Sequence, residues 1–359
     1  MQGDGYAIAG ERGDDGCLIA DAVESILRCA ADVTIRDMGN GDRPGEQGLR
    51  TGKPHSEVWT VLLCLRKEGL PAMTGTRKTL DTALIAEAIA AGVRVERGRS
   101  VQALSRTTSN VWQATLDDGT TREAPAVFLA TGKHDIRGHL RPKDPQRWVA
   151  FKMYFRLSSA QASELAGASE LMLYPGGYGG IQPVEGGMAN LCCVVQQRYL
   201  ARAGHRWENF LAKMQQDCPH LAMRLAGAEP LLARPIAITH IPYGYIRRTT
   251  ENGLYCIGDQ AAVIPSFTGD GISIALHTAR CAVAAHLAEE PASLFQAKLR
   301  SALLAQMRLA EFAADGLNNP LARAVLPFCL RVWPGVMRVT ARLTRVAQHA
   351  AVAPQAVAS

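Results

Sequence analysis

Gly253-Leu254-Tyr255-Cys256-Ile257-Gly258-Asp259-Gln260-Ala261-Ala262, followed by Pro265 and by Gly269-Asp270-Gly271-Ile272, is the stretch on which the fold turns. Leu254 to Ile257 is a short apolar run of strand type that stops at Gly258-Asp259. A glycine-punctuated loop follows, then an apolar helix predicted over Ser273 to Leu287. A strand ending in Gly-Asp presents one carboxylate just past the sheet. The loop behind it approaches a helix N-terminus, whose first N–H groups lack intrahelical acceptors. The carboxylate accepts from hydroxyls, and the N–H groups with the helix dipole favour negative charge. The pair suits a ligand with a polyol chain beside an electron-poor ring. Gly-Asp alone would also fit a plain surface turn rich in small residues. Pro265 and Gly269-x-Gly271, opening an apolar helix, weigh toward the ligand.

Upstream, Arg77 opens a helix that runs through Leu84 and Ile89 to a glycine C-cap at Gly92. Val93 to Glu96, Val101 to Leu104 and Val111 to Leu116 read as strands, with a hairpin turn at Asp117-Asp118-Gly119. Thr120 to Glu123 returns. Ala126 to Ala130 is a fully apolar strand that ends in Thr131-Gly132. Trp148 to Leu157, Leu171 to Tyr174 and Met188 to Gln196 alternate like antiparallel strands. Arg206 to Ala226 is helical with a break at Pro219, and Pro235 to Tyr245 returns as a strand. The chain after Pro291 reads as helical.

These segments resemble the FAD-dependent monooxygenase and geranylgeranyl reductase superfamily over roughly residues 70–320. FAD has the polyol and ring that the Gly258-Asp259 segment suits. The resemblance implies an α/β fold: an FAD/NAD(P)-binding Rossmann-like domain, an inserted antiparallel β-sheet substrate domain, and C-terminal helices. The division expected is 1–70 (a degenerate or truncated N-terminal segment), 71–147 and 251–290 (the two parts of the FAD domain), 148–250 (substrate domain) and 291–359 (helical region). The implied cofactor contacts are Arg77, Thr131, Gly132, Gly258, Asp259, Pro265, Gly269, Asp270, Gly271 and Ile272. Arg77 would lie near the pyrophosphate, where a guanidinium can grip phosphate oxygens in bidentate fashion; alone it would read as a solvated helix arginine. Thr131 stands where aromatic hydroxylases carry an aspartate, which weakens a hydroxylase-style nicotinamide contact. His134, in the next turn, reads as a surface residue.

Pro175-Gly176-Gly177-Tyr178-Gly179-Gly180-Ile181-Gln182-Pro183 resembles the Pro-x-x-Tyr-x-Trp-x-Phe-Pro motif of the reductases. Gly180 and Gln182 replace its two large rings. Tyr178 and Gln182 would then line a pocket for something more polar or bulkier than a long isoprenoid. A glycine-rich hairpin with Tyr178 packed on the sheet is an equal reading.

One element of the superfamily is missing. Its first strand, Gly-x-Gly-x-x-Gly turn and helix seat the ADP half of FAD. Gly3-Asp4-Gly5 and Gly39-Asn40-Gly41 lack a preceding apolar strand and a third glycine. Residues 1–70 therefore read as a truncated, degenerate or mistranslated start. The reaction expected is NAD(P)H-dependent hydroxylation of a small organic molecule. Saturation of a carbon–carbon double bond is the alternative, and a fragment unable to hold FAD stably is the third reading.

Composition narrows the classes. The chain has 359 residues, 47% hydrophobic and 20% charged, which befits a folded protein with a real core. No apolar run of about 18 residues or secretory signal is visible. Nine cysteines, with no Cys-x-x-Cys, favour a reducing, cytoplasmic setting and no structural zinc. A net charge of +6, with scattered basic residues, does not indicate nucleic-acid binding. A helix opened by Pro334 would set Arg338, Arg342 and Arg345 on one face. Packing on the domain is its expected role, with weak peripheral membrane contact the alternative.

Overall fold

The computed structural model describes residues 77–142, 148–166 and 168–319, and the backbone of three two-residue strands, β1 (Ala7–Ile8), β2 (Arg50–Thr51) and β3 (Val61–Leu62). The expected N-terminal segment, the helix after Pro334 and the side chain of Arg77 lie outside the described residues.

Helix α1 (Arg77–Ala90) ends as expected, with Gly92 at φ +88 and its N–H donated to the Ile89 carbonyl. Strand β4 (Val95–Glu96) pairs with β1. Strands β5 (Val101–Arg106), β6 (Trp112–Leu116) and β7 (Thr121–Ala124) form an antiparallel sheet, turned at Gly119. Strand β8 (Val127–Leu129) then runs parallel to β15 (Leu254–Cys256), its partner more than a hundred residues later. This parallel pair is the frame of the site, because both strands end on the same side.

Between them lies a six-stranded antiparallel sheet. It orders β10 (Glu170–Tyr174), β11 (Gly177–Val184), β12 (Met188–Gln196) and β9 (Trp148–Arg156); β13 (Glu229–Pro230) and β14 (Ile236–Thr239) both pair with β9. One face of this sheet is the main core. Val149, Met153, Phe155, Tyr174, Ile181 and Leu191 pack there against Phe210, Met214 and Leu221. The last three come from α4 (Trp207–Asp217) and α5 (Pro219–Arg224), separated as expected at Pro219. Helices α2 (Ser159–Leu165) and α3 (Gln197–Arg202) complete this layer. The opposite face carries Trp148, Leu173, Tyr178 and Val194, packed on Ile241 and Val263.

The glycine-rich Gly177–Val184 run is joined to β10 by the two-residue turn Pro175-Gly176, so it is the second strand of a hairpin, and Tyr178 packs on the sheet as that reading had it. Its β10 ladder stops at Ile181, so Pro183 falls where the strand is an edge. Gly177 is required: an added Cβ would collide with the Val194 carbonyl oxygen. The strand predicted over Pro235 to Tyr245 closes at Thr239, because its partner β9 begins at Trp148. His240, at φ +58, turns the chain to pair with residues 261–263 instead.

Helix α6 (Gly271–Leu287) starts two residues before the predicted Ser273, and α7 (Ala292–Asn318) packs beside it. No helix among the described residues is long and apolar enough to cross a membrane.

Candidate functional site

The ends of β8 and β15 bring the two glycine motifs together. After β15 the backbone of Gly258–Gln260 makes one 3-10 turn, with Gly258 at φ +56, a region that a side chain would strain. The Gly258 N–H donates to Thr278 Oγ1 at 2.8 Å, which ties the turn to the buried side of α6. After β8, Gly132 turns at φ +61. The Ile257 N–H donates to the Leu129 carbonyl, so the ladder holds to the last residue before both turns.

Gln260 then clamps the two turns. It is fully buried, and its amide nitrogen lies 2.9 Å from Thr131 Oγ1, 3.1 Å from the Gly132 carbonyl and 2.8 Å from the His134 carbonyl. A second clamp is Arg141. Its buried guanidinium donates to Asp135 at 2.6 Å and to the Asp259 backbone carbonyl at 2.8 Å. The Asp259 carboxylate is thereby left half-buried, without a hydrogen bond to the described residues.

Past the turn, Pro265 leads into a second 3-10 turn (Ser266–Thr268). The Pro265 carbonyl accepts from both the N–H and the hydroxyl of Thr268. Gly269, at φ +75, reverses the chain, and the buried Asp270 takes the N-cap position of α6. The first i→i−4 bond of the helix runs from Ile274 to the Asp270 carbonyl. The N–H groups of Gly271, Ile272 and Ser273 precede it, and all three residues are exposed. This is an open helix N-terminus beside a carboxylate, so the described residues fit the polyol and ring end of a flavin.

The sheet reaches this loop through hydroxyls. Ser266 Oγ lies 2.9 Å from the Tyr178 hydroxyl and 2.6 Å from that of Tyr243, and Tyr178 meets Phe267 edge to face. Burial holds both phenols above their ordinary pKa, Tyr243 the more strongly, so both stay neutral. Gln182 shares the strand face of Tyr178 but lies four residues further from the loop, where its Oε1 accepts from Ser169. Tyr178 therefore touches the cofactor-side loop and Gln182 does not. His134 is exposed and joins the site through its backbone, the N–H donating to the Thr131 carbonyl and the carbonyl accepting from Gln260.

Gln260, Arg141, Thr278 and Ser266 were not singled out from the sequence. Gln260 directly follows Gly258-Asp259, and that adjacency was the one available signal. The others join the Gly258–Thr268 segment to partners more than ten residues away, Arg141 to Asp259, Thr278 to Gly258 and Ser266 to Tyr178 and Tyr243. Among the described residues no cluster of His, Cys, Asp or Glu could hold a metal.

No family model and no curated protein matches the chain. Solved structures do. The flavin-dependent brominase Bmp2 superposes with a TM-score of 0.63 at 15% identity, over 94% of this chain and 83% of that one. The halogenase PltM gives 0.60 at 13% identity, over 82% of this chain and 63% of its own. A flavoprotein/dehydrogenase from Cytophaga hutchinsonii gives 0.53 at 16% identity, over 75% and 72%. The resemblance read from the sequence is thus borne out at the level of the fold, a mixed α/β architecture shared with a flavin-dependent brominase and a flavoprotein/dehydrogenase.

Proposed function

We propose that the chain is an FAD-dependent oxidoreductase of the monooxygenase type, which uses NAD(P)H and acts on a small organic substrate. One observation carries this reading. The Thr131-Gly132 turn, the Gly258-Asp259 turn and the open start of α6 converge where the parallel strands β8 and β15 end. Ligands of α/β sheets bind at the C-terminal ends of such strands. Asp259 would accept from the ribityl hydroxyls, and the N–H groups of Gly271, Ile272 and Ser273 would face the ring. Arg77 would reach the pyrophosphate. When bound, FAD supplies hydride acceptance from the reductant and, once reduced, reaction with dioxygen. The protein's part is to orient the substrate against the ring and keep water out. Residues 148–250 would do this as a substrate domain between the two parts of the flavin domain, 71–147 and 251–290.

The test is reconstitution of the full chain with FAD, followed by visible absorbance. A protein that retains no flavin after gel filtration refutes the proposal and supports the reading of a fragment unable to hold FAD. If flavin is retained, oxygen uptake with NADPH and a product heavier by one oxygen atom support hydroxylation. A product heavier by two hydrogen atoms without oxygen uptake supports double-bond reduction instead. Oxygen-dependent incorporation of added bromide would move the reading toward the brominase it resembles in fold.

A further inference from the structure

A hollow of about 570 Å³ lies between Pro142, residues 242–249 and Glu311 of helix α7. That volume suits a small organic ligand. None of the turns assigned to the flavin lines it, and no strand of the six-stranded sheet does. It is therefore a place apart from both parts of the site described above, although one of its walls, Tyr243, also meets Ser266.

Two groups of opposite charge line the hollow without meeting. Arg247 is fixed by its backbone N–H on the Ala261 carbonyl and by its Nε on the Gln260 carbonyl at 2.9 Å. Its guanidinium stands 5.8 Å from the centre of the Tyr245 ring. The other guanidinium nitrogens have no hydrogen-bond partner among the described residues, and Nη2 is buried. Such a group keeps its charge at any working pH, and a buried N–H without an acceptor costs free energy.

Glu311 faces the same hollow from the helix. Its carboxylate rests against Gly244, where an added Cβ would collide with Oε1, and Gly244 turns at φ +81. A glycine is needed there for the acid to come so close. Glu311 is half-buried and has no hydrogen bond or ion pair with a described residue. Burial and then Asp315, one turn on, raise its pKa, and Arg308 only partly offsets them. The acid is thus short of positive charge, as Arg247 is short of negative charge. Arg248 also lines the hollow, but it is exposed and its charge is screened by water.

We propose that this hollow binds a zwitterion, an α-amino acid with an aromatic side chain, its carboxylate on Arg247 and its ammonium on Glu311. A plain anion would leave Glu311 unpaired, and a plain cation would leave Arg247 so. A molecule that carries both charges satisfies each. The rings of Tyr243, Tyr245, Pro142 and Pro242 offer flat, largely apolar surface to the side chain.

The test is calorimetric titration of the full-length protein, without added FAD, with L-phenylalanine, hydrocinnamate and phenethylamine. The last two share its ring and each lacks one of its charges. L-Phenylalanine is expected to bind saturably, with a Kd about tenfold or more below that of either relative, the worth of one charge-assisted hydrogen bond. Glu311→Gln keeps the shape of the side chain and removes its charge. It should raise the phenylalanine Kd by about tenfold and leave hydrocinnamate binding no weaker. No saturable binding of phenylalanine by the wild type, or equal affinity for phenylalanine and either relative, overturns the proposal without any variant. An unchanged phenylalanine Kd in folded Glu311→Gln overturns it as well, because the amino acid then lies elsewhere.

Discussion

The Gln260 amide nitrogen stands 2.9 Å from Thr131 Oγ1, linking two turns that are 129 residues apart in the chain. It also reaches two carbonyls of the same turn. One buried side chain therefore fixes the spacing between the Thr131-Gly132 and Gly258-Asp259 motifs. Gln260→Leu removes three acceptors' partner at once. It should cost about 1–3 kcal/mol by urea denaturation, because the Gly132 carbonyl loses this partner while the His134 carbonyl keeps the Thr131 hydroxyl. Retained FAD should fall with it, whereas Gln260→Glu at low pH, where the carboxyl can donate, should recover part of both.

Asp259 should behave differently. Its carboxylate supports no other described group, while its backbone carbonyl holds Arg141. Asp259→Ala keeps that backbone bond, so thermal stability without FAD should hardly move. FAD affinity, measured by quenching of flavin fluorescence, should weaken by about tenfold or more, the worth of a charged hydrogen bond. An unchanged affinity would remove Asp259 from the cofactor site.

Tyr178→Phe keeps the edge-to-face contact with Phe267 and deletes only the hydroxyl that meets Ser266. A loss of about 1 kcal/mol is expected. Tyr178→Ala also opens the packing around Val263 and should cost about 3 kcal/mol or more. A denaturation series on the two variants separates the hydroxyl from the ring.

Acid stability should depend on Glu170. Burial pushes its pKa up, but the hydrogen bonds from His220 and Arg224 more than offset this, and the net shift is down. A carboxyl whose pKa is lower folded than unfolded contributes stability above the ordinary carboxylate range, and that stability is lost as the pH falls through the folded value. Wild type should therefore lose melting temperature steeply below about pH 4.5, the ordinary value. Glu170→Gln should flatten that loss and, at neutral pH, cost about 3 kcal/mol by leaving the buried Arg224 without its main partner.

The elements that were legible in the sequence are those whose cause is local. Helix α1 and its stop at Gly92, the turn at Gly119, the break at Pro219 and the strand before Gly258-Asp259 each follow from a backbone preference or a short apolar period. The strand Gly177–Val184 was legible only through one of two readings, the hairpin, because its three glycines carry little intrinsic β preference. It is held by ladders on two sides, and those belong to its neighbours. The start of α6 at Gly271 was missed by two residues for a similar reason. The chain reversal at Gly269 sets it, not the apolar run behind it.

By itself, then, the sequence determined the local pieces of this protein: the strand-to-turn ends, the glycines at positive φ and the carboxylate of Asp259. Only the tertiary structure decided that the Thr131-Gly132 and Gly258-Asp259 turns lie side by side and that Gln260 and Arg141 hold them together. The reason is physical. Propensity and turn chemistry act over a few residues, whereas parallel pairing of β8 with β15, and the burial of the polar groups between them, join segments that no local period relates.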